Sequence, residues 1–178
     1  VALATLTAVG IGGYEPTELA FQALGREPLA ETEAVTVAHD YERLDVTVDR
    51  LTFTTDLEMA VSEAEFVTEA VVERQAIKQE VFVDLDELTS KEAILATNTS
   101  GLNVTKLAQS TGDPERVIGT HWFNPPMLME LVEVIMTEYT PESVAETTEA
   151  LIDSFDRTPI RCRIDVPKFI VNRLMRPY

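Results

Sequence analysis

Short apolar runs alternate with stretches of helical periodicity from Glu65 to the end of the chain. Runs rich in Val, Ile and Thr predict strands at residues 66–72, 94–97, 117–122, 131–136 and 159–166. The stretches between most of these strands have the period of helices that cover a sheet. This alternation is typical of the α/β class, in which helices lie on both faces of a mostly parallel sheet.

The helices are predicted from periodicity and end signals. Apolar side chains at spacings of four, four and three predict one buried stripe, formed by Ile77, Val81, Leu85 and Leu88. A short helix is expected at 104–109, and another begins at the last apolar run, from Phe169. A longer helix is expected to start at Thr140, with a capping hydroxyl and Pro141 in the first helical position. Its predicted core residues are Val144, Leu151, Ile152 and Phe155.

The first sixty residues show a weaker pattern. A strand at 4–9, a helix at 17–24 and a strand at 34–38, ending at Asp40, form an atypical β-α-β unit. Gly10, Gly12 and Gly13 follow the first strand, where a phosphate-binding turn would lie. The full G-x-G-x-x-G pattern is absent, because Tyr14, Glu15 and Pro16 stand where its third glycine is expected.

Composition excludes several classes of function. Thirty-one acidic against fourteen basic residues give a net charge of −17, which repels nucleic acid and anionic membrane surfaces. The apolar runs are too short to span a bilayer, and no secretion signal is recognised, so we expect a cytoplasmic protein. A lone cysteine, Cys162, is expected to pack in the interior, and we assign no metal ligands.

Small polar residues follow the second strong strand, in the segment TNTSG at residues 97–101. Hydroxyls and backbone at the carboxyl end of a parallel strand face the crevice where open α/β sheets bind ligands. Ser100 is therefore a candidate ligand contact. From these residues alone, a turn that caps the next helix is the favoured explanation.

A histidine and a carboxylate form the second candidate pair. His121 follows a strand in GTHWFNPP and suits proton transfer near neutral pH. Glu133 interrupts the apolar run MELVEVIM, and a buried carboxylate is costly unless it is paired. Twelve residues with a turn between place the two on neighbouring strands, where Glu133 could orient the imidazole. The alternative is that Glu133 faces solvent from an edge strand.

Four blocks of the sequence, taken together, resemble the L-3-hydroxyacyl-CoA dehydrogenases of fatty-acid β-oxidation. They are EFVTEAVVERQAIKQEVFVDLDEL, AILATNTSGL, PERVIGTHWFNPPMLMELVEVI, and TPI followed by FIVNRL. The resemblance implies a Rossmann-like domain that oxidises the 3-hydroxyl of an acyl-CoA to a ketone and passes hydride to NAD. Within these blocks, Lys168 stands where the family usually has a glycine before FIVNR.

The resemblance also implies roles for single residues. His121 is expected to be the general base and Glu133 its orienting carboxylate. Ser100 would hydrogen-bond the substrate oxygen beside the nicotinamide, and Asn172 would lie near the substrate carbonyl. Glu73 and Lys78 match positions that touch the ribose and nicotinamide side of NAD, and Asn124 would contact the cofactor or hold the loop. The alternative for Glu73 and Lys78 is that they form an exposed helix start.

The remaining cofactor contacts are assigned to the N-terminal unit. Gly10, Gly12 and Gly13 are the candidates for the NAD phosphates, and Asp40 is the candidate for the ribose. We expect an NAD-binding domain over residues 1–167 and the start of a helical domain over 168–178. The rest of that domain would come from a second copy or a companion chain.

Two other functions stay open on the sequence. One is a truncated or degenerate, non-catalytic homologue that keeps the fold. The other is a dehydrogenase of a small hydroxy acid in the same superfamily, which the compressed region after Asp40 would allow.

Overall fold

The computed structural model describes residues 3–7, 54–124, 126 and 128–175. In this part of the chain, six strands form one sheet in the order in which they follow each other. They are β1 (Leu3–Thr7), β2 (Phe66–Ala70), β3 (Ile94–Asn98), β4 (Val117–Trp122), β5 (Leu131–Ile135) and β6 (Thr158–Cys162). Every neighbouring pair is parallel except β4 and β5. The expected α/β fold with a mostly parallel sheet is confirmed.

Five helices accompany these strands in the described residues. They are α1 (Leu57–Val61), α2 (Gln75–Leu88), α3 (Val104–Ala108), α4 (Glu142–Asp153) and α5 (Val171–Met175), with a 3-10 turn at Pro114–Arg116. None of the described helices combines the length and apolar character needed to cross a membrane.

The helices cover both faces of the sheet. Phe82 and Leu85 of α2 are fully buried in one apolar cluster. This cluster also contains the side chains that alternate strand residues direct to that face of the sheet. Ala145 and Ile152 of α4 belong to a second cluster on the opposite face. Burial of a side chain as large as Phe82 contributes about 1.5–3 kcal/mol relative to its exposure. The two clusters hold the helices against the two faces of the sheet.

Of the predicted N-terminal β-α-β unit, only the first strand lies in the described residues. β1 begins at Leu3 and pairs with β2 in parallel register, close to the strand expected at 4–9. The helix expected at 17–24 and the strand expected at 34–38 lie outside the described residues.

The predicted stripe of α2 lies along one side of the face that the helix buries. Leu85 is fully buried, and Val81 and Leu88 are partly buried against the same core. The buried face also includes Lys78 and Phe82, which the stripe did not contain. The reason is electrostatic, because Lys78 turns inward to an acidic partner on β2 instead of pointing to solvent. A hydrophobic pattern alone cannot predict a buried lysine.

The start of α4 also differs from the prediction. Pro141 is the N-cap residue and no side chain caps the helix. The Thr140 hydroxyl instead donates to the Val117 carbonyl at 2.7 Å, which ties the helix start to β4. At the other end, Phe155 is 43% exposed and is not a core residue.

The chain leaves the sheet earlier than predicted. β6 ends at Cys162, and the following segment crosses to α3, where the Asp165 carboxylate accepts a hydrogen bond from the Thr105 amide at 2.8 Å. Lys168 and Phe169 then have φ angles of 68° and 51°, in the left-handed region. The last helix therefore begins at Val171 and not at Phe169.

Candidate active site

The central feature of the site is a histidine–glutamate pair between two neighbouring strands. His121 and Glu133 face each other directly across the antiparallel β4–β5 pair. Nδ1 of His121 lies 2.6 Å from Oε2 of Glu133, and Glu133 is fully buried. β5 lies between β4 and β6, so the alternative in which Glu133 faces solvent from an edge strand is wrong.

The second oxygen of Glu133 is held by backbone. Its Oε1 accepts hydrogen bonds from the Ile170 and Val171 amides, both at 2.8 Å. Burial alone would raise the pKa of Glu133, but the hydrogen bonds from His121 and these two amides outweigh burial and hold the pKa below its usual value. Glu133 is therefore ionised, and its carboxylate accepts a hydrogen bond from the Nδ1–H group of His121.

That arrangement decides which nitrogen of His121 can react. With Nδ1–H donating to a carboxylate, the neutral ring carries its lone pair on Nε2. Of the two ring nitrogens of His121, only Nδ1 has a hydrogen-bond partner among the described residues. The rings of Phe123 and Phe169 lie 4.4 and 5.7 Å from the imidazole, centroid to centroid, and restrict its rotation. His121 is thus arranged to take a proton through Nε2.

The amides that bind Glu133 are presented by a strained turn. Lys168 and Phe169, both L-residues with a Cβ, occupy the left-handed region immediately before Ile170. Such a conformation costs roughly 1–2 kcal/mol per residue and persists only where the surroundings enforce it. Lys168 therefore adopts the backbone that a glycine would adopt more readily. The turn survives this departure from the family pattern.

The turn after β3 lies beside the end of β4. Asn98 pairs in register with Thr120, and its side-chain oxygen accepts a hydrogen bond from the Trp122 amide at 3.4 Å. Ser100 is exposed at this edge, and its carbonyl accepts a hydrogen bond from Nδ2 of Asn172 at 3.2 Å. The structure thus brings the Ser100 turn and Asn172, in the first turn of α5, together at the carboxyl end of the sheet.

Glu73, in the loop between β2 and α2, also contacts this turn. Its Oε1 accepts hydrogen bonds from the Thr99 hydroxyl at 2.6 Å and from the Ser100 amide at 2.8 Å. The Glu73 side chain is 45% exposed, so it remains accessible to a ligand. Glu73 is exposed just before α2, so the alternative of an exposed helix start still describes it, although its carboxylate also binds the Ser100 turn.

Lys78 has a different environment from the one expected. Its side chain is fully buried, and its amine lies 2.7 and 2.9 Å from the two carboxylate oxygens of Glu69. The exposed helix start is therefore wrong for Lys78. Direct contact between Lys78 and a cofactor stays a prediction, since the side chain shows no surface in this structure.

A cavity of about 510 Å³ opens at the same edge of the sheet. Its size is in the range of small-molecule sites. Polar lining comes from Glu73, Asn98, Ser100 and Asn124, and apolar lining from Trp122, Leu151, Phe155 and neighbouring residues. The cavity thus places Glu73, Ser100 and Asn124, all predicted cofactor contacts, around one space.

The predicted phosphate and ribose contacts of the N-terminal unit cannot be placed in this way. Gly10, Gly12, Gly13 and Asp40 lie outside the described residues. Their assignment to the cofactor stays a prediction. Within the described ranges, no group of three or more His, Cys, Asp or Glu side chains is arranged to hold a metal ion.

Sequence reasoning missed one charged residue at the site. Glu69 is fully buried in β2 and organises Lys78 and Thr97 beneath the cavity edge. The signal was available, because an acidic residue inside the strand FVTEA is as unusual as Glu133 inside its own strand. The same reasoning applied to both would have found it.

Comparison with known proteins identifies the family. Residues 19–166 match the family described as 3-hydroxyacyl-CoA dehydrogenase, NAD binding domain. A 3-hydroxybutyryl-CoA dehydrogenase of Mycobacterium tuberculosis is 39% identical over 170 residues, which cover 93% of this chain and 58% of the relative. The chain therefore spans less than two thirds of the relative that it matches.

Solved structures agree with this match. The crystal structure of 3-hydroxybutyryl-CoA dehydrogenase from Escherichia coli superposes with a TM-score of 0.74 and 40% identity, covering 78% of this chain and 29% of the other. A second, a 5-formyl-3-hydroxy-2-methylpyridine 4-carboxylic acid 5-dehydrogenase described as an NAD⁺-dependent dismutase, has a TM-score of 0.67 and 40% identity, covering 69% of this chain and 40% of the other. Fold, strand-end cavity and sequence match agree, and the chain belongs to the NAD-binding domain family of the 3-hydroxyacyl-CoA dehydrogenases.

Proposed function

We propose that this chain is the NAD-binding, catalytic-histidine domain of an enzyme that oxidises the 3-hydroxyl of an L-3-hydroxyacyl-CoA to a ketone, in fatty-acid β-oxidation. The observation that carries the proposal is the contact of 2.6 Å between His121 Nδ1 and the buried Glu133 carboxylate, near the carboxyl end of β4. A pair of this kind has the geometry of a general base and its orienting group.

His121 would remove the hydroxyl proton of the substrate. As the O–H bond breaks, its proton moves to Nε2, and the electron pair of that bond forms the C=O double bond. Glu133 stabilises the imidazolium that results, because its carboxylate already accepts a hydrogen bond from Nδ1–H. NAD, when bound, supplies the acceptor for the hydride that leaves C3.

The residues around the cavity fit this cofactor. A carboxylate at the carboxyl edge of a parallel sheet is suited to accept hydrogen bonds from ribose hydroxyls, and Glu73 is both exposed and fixed there. Ser100 and Asn124 line the same space and offer hydrogen-bonding groups beside it. We assign Ser100 to the substrate oxygen, Asn172 to the neighbourhood of the substrate carbonyl, and Glu73 and Asn124 to NAD.

The domain assignment and the partners belong to the same proposal. Residues 1–167 would form the NAD-binding domain and 168–178 would begin the helical domain. The acyl-CoA substrate is proposed from the family. A homodimer or a companion chain, and a cytoplasmic location, stay predictions.

The deciding experiment is calorimetric titration of the chain with NAD, followed by an assay of NADH formation from L-3-hydroxybutyryl-CoA. Measurable heat and a rise in thermal midpoint with NAD are expected. If neither heat nor a thermal shift is found at millimolar NAD, the enzyme function is excluded and the non-catalytic homologue is supported.

A second candidate has its own supporting observation. The pyridine-carboxylate dehydrogenase structure is as similar in identity, 40%, as the hydroxybutyryl-CoA enzyme structure. A dehydrogenase of a small hydroxy acid without CoA would use the same His121–Glu133 pair. Comparing kcat/KM for L-3-hydroxybutyryl-CoA and for free 3-hydroxybutyrate separates the two.

A further inference from the structure

A connecting segment, residues 163–170, links the sheet to the last helix. It runs from the end of β6 at Cys162 to the start of α5 at Val171, and it contains no helix or strand. The Phe169 amide donates to the Val166 carbonyl at 3.0 Å, and both Lys168 and Phe169 have left-handed backbone. Because L-residues avoid that conformation, contacts elsewhere must hold the segment in place.

The end of the connecting segment contacts the histidine–glutamate pair. The Ile170 amide, together with that of Val171, donates to Oε1 of Glu133, both at 2.8 Å. The Phe169 side chain is buried, and its ring lies 5.7 Å from the His121 ring. The position of the segment therefore decides the surroundings of both members of the pair.

Asp165 attaches the connecting segment to α3. Its Oδ2 accepts a hydrogen bond at 2.8 Å from the Thr105 amide, in the first turn of that helix. A first-turn amide has no partner within its own helix, so an acceptor from elsewhere satisfies it. The helix already has an N-cap, because the Asn103 side chain accepts the Lys106 amide at 2.7 Å. Asp165 thus joins the segment to α3 without serving as the cap.

The helix that Asp165 binds is a firm support. Val104 and Ala108 of α3 are fully buried in the apolar cluster on this face of the sheet. A Cβ added to Gly119 of β4 would lie 2.9 Å from the Val104 side chain, so the glycine lets α3 lie close to the strand. Gly119 is two residues before His121. The segment is therefore attached to the same strand that carries the histidine.

We propose that Asp165 is a positioning residue for proton transfer at His121: its bond to α3 fixes the connecting segment, which presents the Ile170 and Val171 amides to Glu133. The catalytic consequence rests on the proposed function, whereas the geometry does not depend on it.

Loss of the two amides would change the state of Glu133. Two titratable side chains contact it among the described residues, His121 from β4 and Cys162 from β6. Burial raises the pKa of Cys162 to about 12, so the thiol stays neutral. Burial also acts to raise the pKa of Glu133, and the amides act to lower it, so the pKa rises when they are lost. A protonated Glu133 would donate to Nδ1 and place the ring proton on Nε2, where it blocks the base.

The first test compares Asp165→Ala with Asp165→Asn, which keeps an acceptor oxygen for the Thr105 amide. Asp153→Ala, at the exposed end of α4, is the control. Amide hydrogen exchange at Ile170 and Val171 should become about tenfold faster in Asp165→Ala, as expected from losing a hydrogen bond to a charged group. Asp165→Asn and the control should keep wild-type exchange at both amides.

The second readout is the tautomer of His121, measured by nitrogen NMR of the imidazole. The chain has two histidines, His39 and His121, and the spectrum of His121→Gln assigns their signals. The neutral ring should carry its proton on Nδ1 in the wild type and in Asp165→Asn, and a fraction on Nε2 in Asp165→Ala. In the same variant, kcat with L-3-hydroxybutyryl-CoA should fall on the order of tenfold, with KM for NAD unchanged.

A purely structural role for Asp165 predicts a different outcome. Asp165→Ala would then lower the thermal midpoint but leave the His121 tautomer and the exchange at Ile170 and Val171 unchanged, which would overturn the proposal. Equal changes in Asp165→Asn would overturn it too, since the acceptor oxygen would not be the cause. If the wild type forms no NADH, the proposed function fails, and exchange and tautomer still decide whether Asp165 positions Glu133.

If Asp165→Ala fails to fold, the wild type itself provides the test. Hydrogen exchange in increasing urea below the unfolding transition gives the opening free energy of each amide. Thr105, Ile170 and Val171 should open as one unit, because Asp165 joins them. Opening of Ile170 and Val171 at a free energy different from that of Thr105 would overturn the proposal.

Discussion

Two buried carboxylates, Asp86 and Glu133, meet basic partners at opposite ends of the same strand. Arg116 directly precedes β4 and binds Asp86 at 2.7 Å, whereas His121 lies near the end of β4 and binds Glu133 at 2.6 Å. In both cases burial acts to raise the pKa of the carboxyl group, and hydrogen bonds from the partner and from backbone amides bring the pKa below its usual value. Electrostatically the two centres are similar.

They differ in what the partner can do. The guanidinium of Arg116 keeps its proton at any ordinary pH, and its terminal nitrogens also bind Thr89, Ser90 and Ala93. His121 can gain and lose a proton, and its Nε2 has no partner among the described residues. The amino end of β4 therefore holds a structural ion pair, and under the proposed function its carboxyl end would hold the reactive group, as open α/β sheets favour.

The largest effect is expected at the carboxyl end. His121→Gln should lower turnover by about 10²–10⁴-fold, the loss typical of a general base, because Gln cannot accept the hydroxyl proton. NAD affinity and thermal midpoint should stay close to wild type. Steady-state rates with calorimetry on the same samples measure both, and equal rates for variant and wild type would remove His121 from the mechanism.

At the amino end the loss should appear in stability alone. Arg116→Met removes the buried partner of Asp86 and leaves only the largely exposed Lys91 as its counter-charge, which should lower the free energy of unfolding by about 1–3 kcal/mol. Turnover per folded molecule should not change. Urea denaturation at neutral pH measures the loss.

The matched control for Arg116 is Arg157→Met. Among the described contacts, the Arg157 guanidinium bonds only to the neighbouring Asp156 carbonyl. Its stability should change by less than about 1 kcal/mol, as for most exposed charges. A similar loss in both variants would remove the distinction between a structural ion pair and a surface arginine.

Glu133→Gln should have a smaller effect on turnover than His121→Gln, because Glu133 acts through His121. The carboxamide can still accept the Ile170 and Val171 amides, but its NH₂ group would face Nδ1 and favour the tautomer with the proton on Nε2. We expect roughly a 10²-fold loss of kcat with little change in KM for NAD. Exposed Glu130→Gln is the control, and equal losses in the two would contradict the role of Glu133.

The smallest effect concerns the turn that serves Glu133. Lys168→Gly removes left-handed strain of about 1–2 kcal/mol but adds backbone freedom to the unfolded chain. The net result should be a gain of about 1 kcal/mol or less, with unchanged turnover. Thermal unfolding measures it. A loss of stability would show that the Lys168 side chain, and not the backbone, holds the turn.

Much of the catalytic half could be predicted from the sequence. The strand at 117–122 was predicted with the bounds that the structure has, because a run of apolar and β-branched residues between turns leaves little choice. The His121–Glu133 contact was also accessible, since a buried acid must find a partner and a hairpin-like spacing limits the candidates. The predicted family is confirmed, and the roles of the single site residues stay predictions.

Other features depended on residues far apart in the chain. Thr140 was expected to cap its own helix but binds β4, and Phe155 was expected in the core but lines the cavity. For Thr140 the deciding partner lies 23 residues earlier in the chain. The inward position of Lys78 on α2 was missed for the same reason, because its partner lies on β2.

The sequence by itself determined the α/β class and the succession of the strands along the chain from β2 onward, because these follow from local periodicity. The cost of burying charge indicated the histidine–carboxylate pair, and the resemblance of four sequence blocks indicated the family. Only the tertiary structure decided how the pair is held. The Ile170 and Val171 amides reach Glu133 from 37 and 38 residues away, and Lys78 binds Glu69 and the Asn98 carbonyl at the same time. Contacts over such separations depend on how the elements pack, which no local pattern contains.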